Sequence, residues 1–263
     1  MIHFGKPAPD LSRQIEMCFF ISSEGNSGTS YYEFLPDSSV KLNFCFSSSS
    51  CRMVLLGPAT KKYCAEIDEA SDYLCLRFHP GQAPQLADIN HAELIDSYVE
   101  LPEIRGVKID SLAERFHLLP DLASRQLVLE DIVRGSQPLV RDERCRQATA
   151  LLEVHGGNIQ VNELADKFGL HIRSLERLFL DHLGLSPKRL TRIIRLRHLL
   201  ACLRTGSFGR LADLAYACGY ADQSHMIKEF KELTGRLPGE TGSFNVRRLA
   251  DAPQTRVVNR CRP

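Results

Sequence analysis

The sequence predicts a multidomain protein. A strand-rich N-terminal domain, barrel- or sandwich-like and of the α+β class, is followed by connecting helices and then by an all-α C-terminal domain built from two copies of one helical unit. Three observations predict this. The hydrophobic period changes from two residues to helical spacing near Ile109. Charge is split between the halves: residues 1–140 hold 12 Lys+Arg against 19 Asp+Glu, a net −7, whereas residues 141–263 hold 21 against 13, a net +8. A pattern of Leu, Ala, Gly, Phe, Gly and Pro occurs twice in the same order, about fifty residues apart.

In the first half, MCFFI (17–21), VKLNFCF (40–46), RMVLLG (52–57) and YLCLRF (73–78) are short and rich in β-branched or aromatic residues, which marks them as strands. VKLNFCF alternates, with Val40, Leu42, Phe44 and Phe46 on one face and Lys41, Asn43 and Cys45 on the other. Turn-forming stretches SSEGNSG (22–28), SSSS (47–50) and HPGQAP (79–84) separate the strands. The helical period starts with DSLAERFHLL (110–119) and DLASRQLVLEDIVRG (121–135), and Gly135, Ser136, Gln137 and Pro138 end it. The expected boundaries are 1–108 for the strand-rich domain, 109–138 for connecting helices and linker, 139–245 for the helical domain and 246–263 for a tail.

Each copy of the repeat reads as helix, tight turn, helix. The first aligns Val161, Leu164, Ala165 and Phe168 on one face, turns at Gly169, and continues with Leu175, Leu178 and Phe179. The second uses Leu211, Leu214, Ala215 and Cys218, turns at Gly219, and continues with Met226, Phe230 and Leu233. Ala lets two helices approach closely, and Gly permits the left-handed conformation of a sharp turn. This is the pattern of a helix-turn-helix, whose second helix enters the DNA major groove N-terminus first. The stretch between the copies, SPKRLTRIIRLRHLLACLRTG (186–206), opens with Ser186 as N-cap and Pro187 at the first helical position. From His182 to Ala212 it carries Lys188, Arg189, Arg192, Arg195, Arg197, Arg204 and Arg210 without an acidic residue, which suits phosphate contacts.

NELADKFGLHIRSLERLF (162–179), GLSPKRLTRIIRLRHLLACL (184–203) and LADLAYACGYADQSHMIKEFKELTG (211–235) together resemble the DNA-binding domain of the AraC/XylS family of transcriptional regulators. The resemblance covers residues 145–240 and implies seven helices: two helix-turn-helix subdomains joined by a connecting helix. Met226 stands where the family usually has Phe, and Lys228 where it usually has Arg. LPGET (237–241) lacks the aromatic usual after the last Pro. The first half, through PDSSVKLNF, VLLGP and LRFHPGQAPQL, resembles a strand-rich domain found ahead of such readers, which implies sensing or dimerisation.

Site expectations follow. In the first recognition helix Arg173, Ser174 and Arg177 face outward, and Arg can pair bidentately with guanine or contact phosphate; ion pairing with Glu176 or Asp181 is the structural alternative. In the second, Gln223 and Ser224 can reach bases, with Ile227 against a thymine methyl and Lys228 one turn on, while Asp222 reads as an N-cap. Lys188, Arg192 and Arg195 are assigned to phosphate. An apolar effector pocket is expected near Phe44, Phe46 and Phe78, the alternative being that these rings fill the core.

Double-stranded DNA is the expected partner, with RNA polymerase, a small-molecule effector and a second copy of the chain as further partners. Activation is the expected regulatory direction. Nine scattered cysteines without a CxxC pair fit reduced thiols, so neither metal nor cofactor is expected. Redox sensing by Cys45, Cys51, Cys64 or Cys75 is weighed against simple burial, and His79 lacks partners at metal-ligand spacing. A cytoplasmic protein is expected, because MIHFGKPAPD has no signal-peptide pattern and no apolar run is long enough to span a membrane. The rival function, a DNA-repair alkyl acceptor, needs a reactive metal-bound cysteine cluster ahead of residue 145, which the sequence lacks. Patterns of common hydrolases and nucleotide-binding enzymes are absent too, so no catalysis is expected.

Overall fold

The computed structural model describes residues 2–21, 29–47, 51–68, 70–104, 106–140, 142–206 and 209–243. The expected turn 22–28, most of the SSSS turn and the tail 246–263 lie outside these residues.

Six antiparallel strands form the main sheet: β1 (Ile2–Gly5), β2 (Ile15–Ile21), β4 (Lys41–Phe46), β5 (Cys51–Leu56), β7 (Asp72–Phe78) and β8 (Tyr98–Leu101), ordered β1-β2-β7-β4-β5-β8. β3 (Thr29–Phe34) pairs with β6 (Tyr63–Asp68), and the short β9 (Glu103–Ile104) with β10 (Val107–Lys108). Register aligns Leu42 with Leu55 and Leu76, and Phe44 with Met53 and Leu74. That face packs on α2 (Ile109–His117) and α3 (Leu122–Arg134), which bury Leu112, Phe116, Leu129 and Val133 against it. Each large apolar side chain so buried contributes roughly 1.5–3 kcal/mol. The two helices at 109–138 thus supply part of the first domain's core, including Phe116 and Leu129.

The opposite face of the sheet is buried as well, although Lys41, Asn43 and Arg77 on it are polar. Arg77 Nη2 donates to Asp37 Oδ1 at 2.8 Å, and Lys41 Nζ lies 2.5 Å from Asp37 Oδ2. Burial alone would raise the Asp37 carboxyl, but Arg77 and then Lys41 hold it well below the usual carboxylate range. Arg77 Nε also sits 3.3 Å from Glu16.

The helical domain comprises α4 (Glu143–Val154), α5 (Val161–Lys167), α6 (Ile172–Leu183), α7 (Pro187–Thr205), α8 (Leu211–Ala217) and α9 (Gln223–Thr234), followed by a 3-10 turn at Pro238–Ser243 in the place of a seventh helix. It has two cores. Leu164, Ala165, Leu175, Phe179, Leu190 and Ile193 lie in the first; Leu196, Leu200, Leu214, Ala215, Met226 and Phe230 lie in the second. Helix α7 therefore gives its first half to one core and its second half to the other. The predicted turns at Gly169 and Gly219 have φ of 62° and 75°. A Cβ at Gly219 would also stand 2.4 Å from Asn158 Oδ1, so close approach and backbone conformation both require glycine there.

The two domains touch along one side. Leu35 joins the second helical core, and Ile95 packs against the first. Gly184, at the end of α6, lies so close to α1 (His91–Leu94) that a Cβ would meet Ala92 Cα at 2.7 Å. Arg189 donates to Thr60 Oγ1 at 2.7 Å, and Arg236 pairs with Glu33 at 3.0 Å. Arg197 Nη2 reaches Glu16 Oε1 at 2.5 Å while its Nη1 reaches Glu153 at 3.3 Å.

His79 Nδ1 completes this cluster, 3.0 Å from Glu153 Oε2. Its hydrogen bond to Glu153 outweighs burial and raises the imidazole above 6.5. A raised pKa in the folded state stabilises the contact fully below about pH 6.5, and the gain is lost as pH rises through the raised value. Amide exchange at residues 151–155 is therefore expected to quicken as pH rises above about 6.5, once corrected for the intrinsic rate. His79→Gln is expected to abolish that added change. The same profile in wild type and variant would refute this role for His79.

Candidate nucleic-acid interface

A helix-turn-helix reads DNA only if the first turn of its second helix is open to solvent. In α6 this holds: Ile172, Arg173, Ser174, Glu176 and Arg177 are exposed while Leu175 and Phe179 are buried. Arg173 and Arg177, four residues apart, share a face. His171 caps the helix, its ring nitrogen accepting from the Arg173 amide at 3.3 Å.

The first turn of α9 follows the same plan. Asp222 accepts from the His225 amide at 2.8 Å, so it caps the helix as expected. Gln223, Ser224 and Lys228 are exposed. His225 packs edge-on against Tyr220, with ring centroids 5.5 Å apart. Ile227 is only half open, because it leans on the second core.

The connecting helix departs from expectation. Lys188 is exposed, whereas Arg192 and Arg195, expected at phosphate, have partners within the domain. Arg192 Nε donates to Glu229 Oε2 at 2.8 Å and Nη2 to Glu232 Oε2 at 2.6 Å. Arg195 donates to the Gly157 carbonyl at 3.3 Å and lies 5.0 Å from the Tyr220 ring centroid. The physical reason is Glu229, whose side chain is 7% exposed and needs compensating charge. Glu229 and Glu232 lie on α9, thirty-seven and forty residues from Arg192, so counting charge along α7 could not reveal them.

At the expected effector pocket the rings are packed. Phe44, Phe46 and Phe78 are fully buried, and Phe116 from α2 packs edge-on against Phe44 and Phe46 at 4.7 and 5.7 Å. These rings fill the core. Two of the first domain's thiols are poorly suited to redox chemistry: burial pushes Cys75 well above 9.0, and burial with the Asp110 hydrogen bond pushes Cys51 up to about 11.

Residues 164–243 match a family described as a helix-turn-helix domain, and residues 3–100 match one described as a domain of unknown function (DUF6597). The transcriptional activator RhaS of Citrobacter koseri is 36% identical over 164 residues, covering 57% of this chain and 55% of its own. RhaS of Enterobacter sp. is 35% identical over 132 residues, covering 45% of each chain. RhaR of Yersinia pestis bv. Antiqua is 30% identical over 126 residues, covering 48% of this chain and 37% of its own. The chain thus spans about half the length of these relatives, or less. Among solved structures, ToxT from Vibrio cholerae covers 85% of this chain and 95% of its own at 12% identity and a TM-score of 0.44. The DNA-binding domain of AdpA, solved with a target DNA, covers 41% of this chain and 97% of its own at 20% identity and a TM-score of 0.37.

The geometry separates structural cations from exposed ones. Arg192→Ala is expected to cost about 1–3 kcal/mol of stability in urea unfolding, because it strips a buried carboxylate of its main partner. Lys188→Ala is expected to leave stability within about 0.5 kcal/mol but to lower the salt dependence of DNA binding by about one ion. Equal stability of the two variants would contradict the assignment.

Proposed function

We propose that this chain, whose C-terminal half is a helix-turn-helix domain of the AraC/XylS family, is a sequence-specific DNA-binding transcriptional regulator. The observation that carries the reading is the duplication: two helix-turn-helix units, each with an exposed polar first turn, are mounted on the single helix α7. We assign base reading to Arg173 and Arg177 in one groove segment and to Gln223 and Ser224 in the next, with Ser174 as a nearby polar contact. Arg suits guanine O6/N7, and Gln suits adenine N6/N7. Lys188 and Lys228 are assigned to phosphate, and the half-buried Ile227 to a thymine methyl at the groove edge.

Activation is the direction we assign, since relatives bear the description of transcriptional activators. RNA polymerase is then a further partner, and the cytoplasm the compartment. No helix among the described residues is long and apolar enough to cross a membrane. We assign no catalytic step.

The first domain is proposed to regulate the reader, through a small-molecule effector or by pairing two copies. Its contacts at Leu35, Ile95 and Glu16 support this role. Whatever binds there can act only by favouring one arrangement of the two domains over another.

The test uses a site selected from genomic fragments with the full chain. Arg173→Ala and Gln223→Ala are each expected to cost about 1–3 kcal/mol on that site and to relax preference at one or two base positions. Parallel losses on selected and random DNA would reduce both residues to electrostatic contacts.

A further inference from the structure

Three side chains that DNA reading does not use meet behind the second helix-turn-helix. His198 and Cys202 lie four residues apart on α7, so they project from one face of it. Cys218 caps α8 and is buried. One donor atom from each residue lies within 4.8 Å of the other two. The thiols of Cys202 and Cys218 are hydrogen-bonded to one another.

The imidazole is held in place yet incompletely satisfied. Its Nδ1 is buried and has no hydrogen-bond partner among the described residues. Gly156, with φ of 56°, leaves room for the ring; a Cβ there would stand 2.6 Å from Nδ1. Buried polar nitrogens are normally paired, and this unpaired one belongs to a ring that brings a donor nitrogen within 4.8 Å of both sulfurs.

We propose that His198, Cys202 and Cys218 bind one soft transition-metal cation, with zinc(II) the first candidate, and that the ion ties α7 to the second helix-turn-helix. One nitrogen and two sulfurs form a donor set that favours zinc over hard cations. Bonds of about 2.3 Å to sulfur and about 2.0–2.1 Å to nitrogen place tetrahedral donors about 3.3–3.8 Å apart, so the trio must contract slightly. His198 and Cys202 are only half-buried and can make that adjustment.

On binding, each thiol gives its proton to solvent as its sulfur–metal bond forms. Two thiolates, a neutral imidazole and a divalent ion then leave the site with no net charge, which suits its burial. Because each thiol must lose its proton to bind, affinity rises with pH. A water molecule can take the fourth position. The site lies in the helical domain, away from the stretch ahead of residue 145 that an alkyl-acceptor chemistry would require, and its occupancy does not depend on DNA reading.

The test uses the full chain, reduced and stripped of metal with a chelator, and cobalt(II) as the spectroscopic probe. One equivalent is expected to give thiolate-to-cobalt charge-transfer bands, which zinc(II) then displaces. His198→Gln and Cys202→Ser are each expected to weaken binding by about tenfold or more. Zinc is also expected to shield Cys202 and Cys218 of the wild-type chain from alkylation, mapped by mass spectrometry, while the exposed Cys64 reacts as before. The mapping needs no variant to fold. Absence of the bands, unchanged bands in both variants, or equal alkylation of Cys202 and Cys218 with and without zinc would overturn the proposal.

Discussion

Arg197 joins the two halves of the molecule with one guanidinium, shared between Glu16 of the strand domain and Glu153 of α4. The other arginines around it on α7 behave alike. Arg189 reaches Thr60, Arg192 reaches Glu229 and Glu232, and Arg195 reaches Gly157 and the Tyr220 ring. A helix with no acidic residue of its own must find its counter-charges on other elements, and that search fixes what packs against it. Glu16 shows how far the constraint reaches: burial alone would raise its carboxyl, yet Arg77 and Arg197 together hold it low. Removing one member of such a partly buried group leaves its partners uncompensated, so the cluster resists piecemeal change.

The same helix sets the geometry of reading. Nineteen residues of α helix span roughly 28 Å, and the two halves of α7 enter different cores. The two recognition helices are therefore fixed to one rod rather than joined by a flexible linker. Leu35 and Ile95 reach those same cores from the first domain. A fragment cut near residue 139 would lose both contacts, together with the Glu16 and Thr60 partners of α7. These contacts are the physical basis on which a regulatory role is proposed for the strand domain.

Much of this was legible in the sequence because local physics dictated it. The repeat with glycine turns, the Ser186 and Asp222 caps and the change of period at Ile109 rest on residues within a few positions of one another. Long-range pairing left no such trace. Lys41 and Asn43 alternate as a polar strand face should, yet they are buried; Arg77, which lies beside Lys41 on the neighbouring strand, joins it at Asp37 from forty residues away. Arg192 and Arg195 looked like free cations for the same reason. The rings of Phe44 and Phe46 could have lined a pocket until α2 supplied Phe116. His198 and Cys202 escaped notice because their spacing is that of a helix face, not a CxxC turn, and their third partner sits sixteen residues beyond Cys202.

On the proposed reading, both readers fixed to the rod engage the duplex. A hydroxyl-radical footprint of the full-length protein on a site selected from genomic fragments tests this most directly. The account predicts two protected segments on one face of the DNA, centred about 10 bp apart and unequal in sequence, since α6 and α9 present different side chains. Protection limited to a single groove segment, or a palindromic pair of identical half-sites with one segment per subunit, would contradict it.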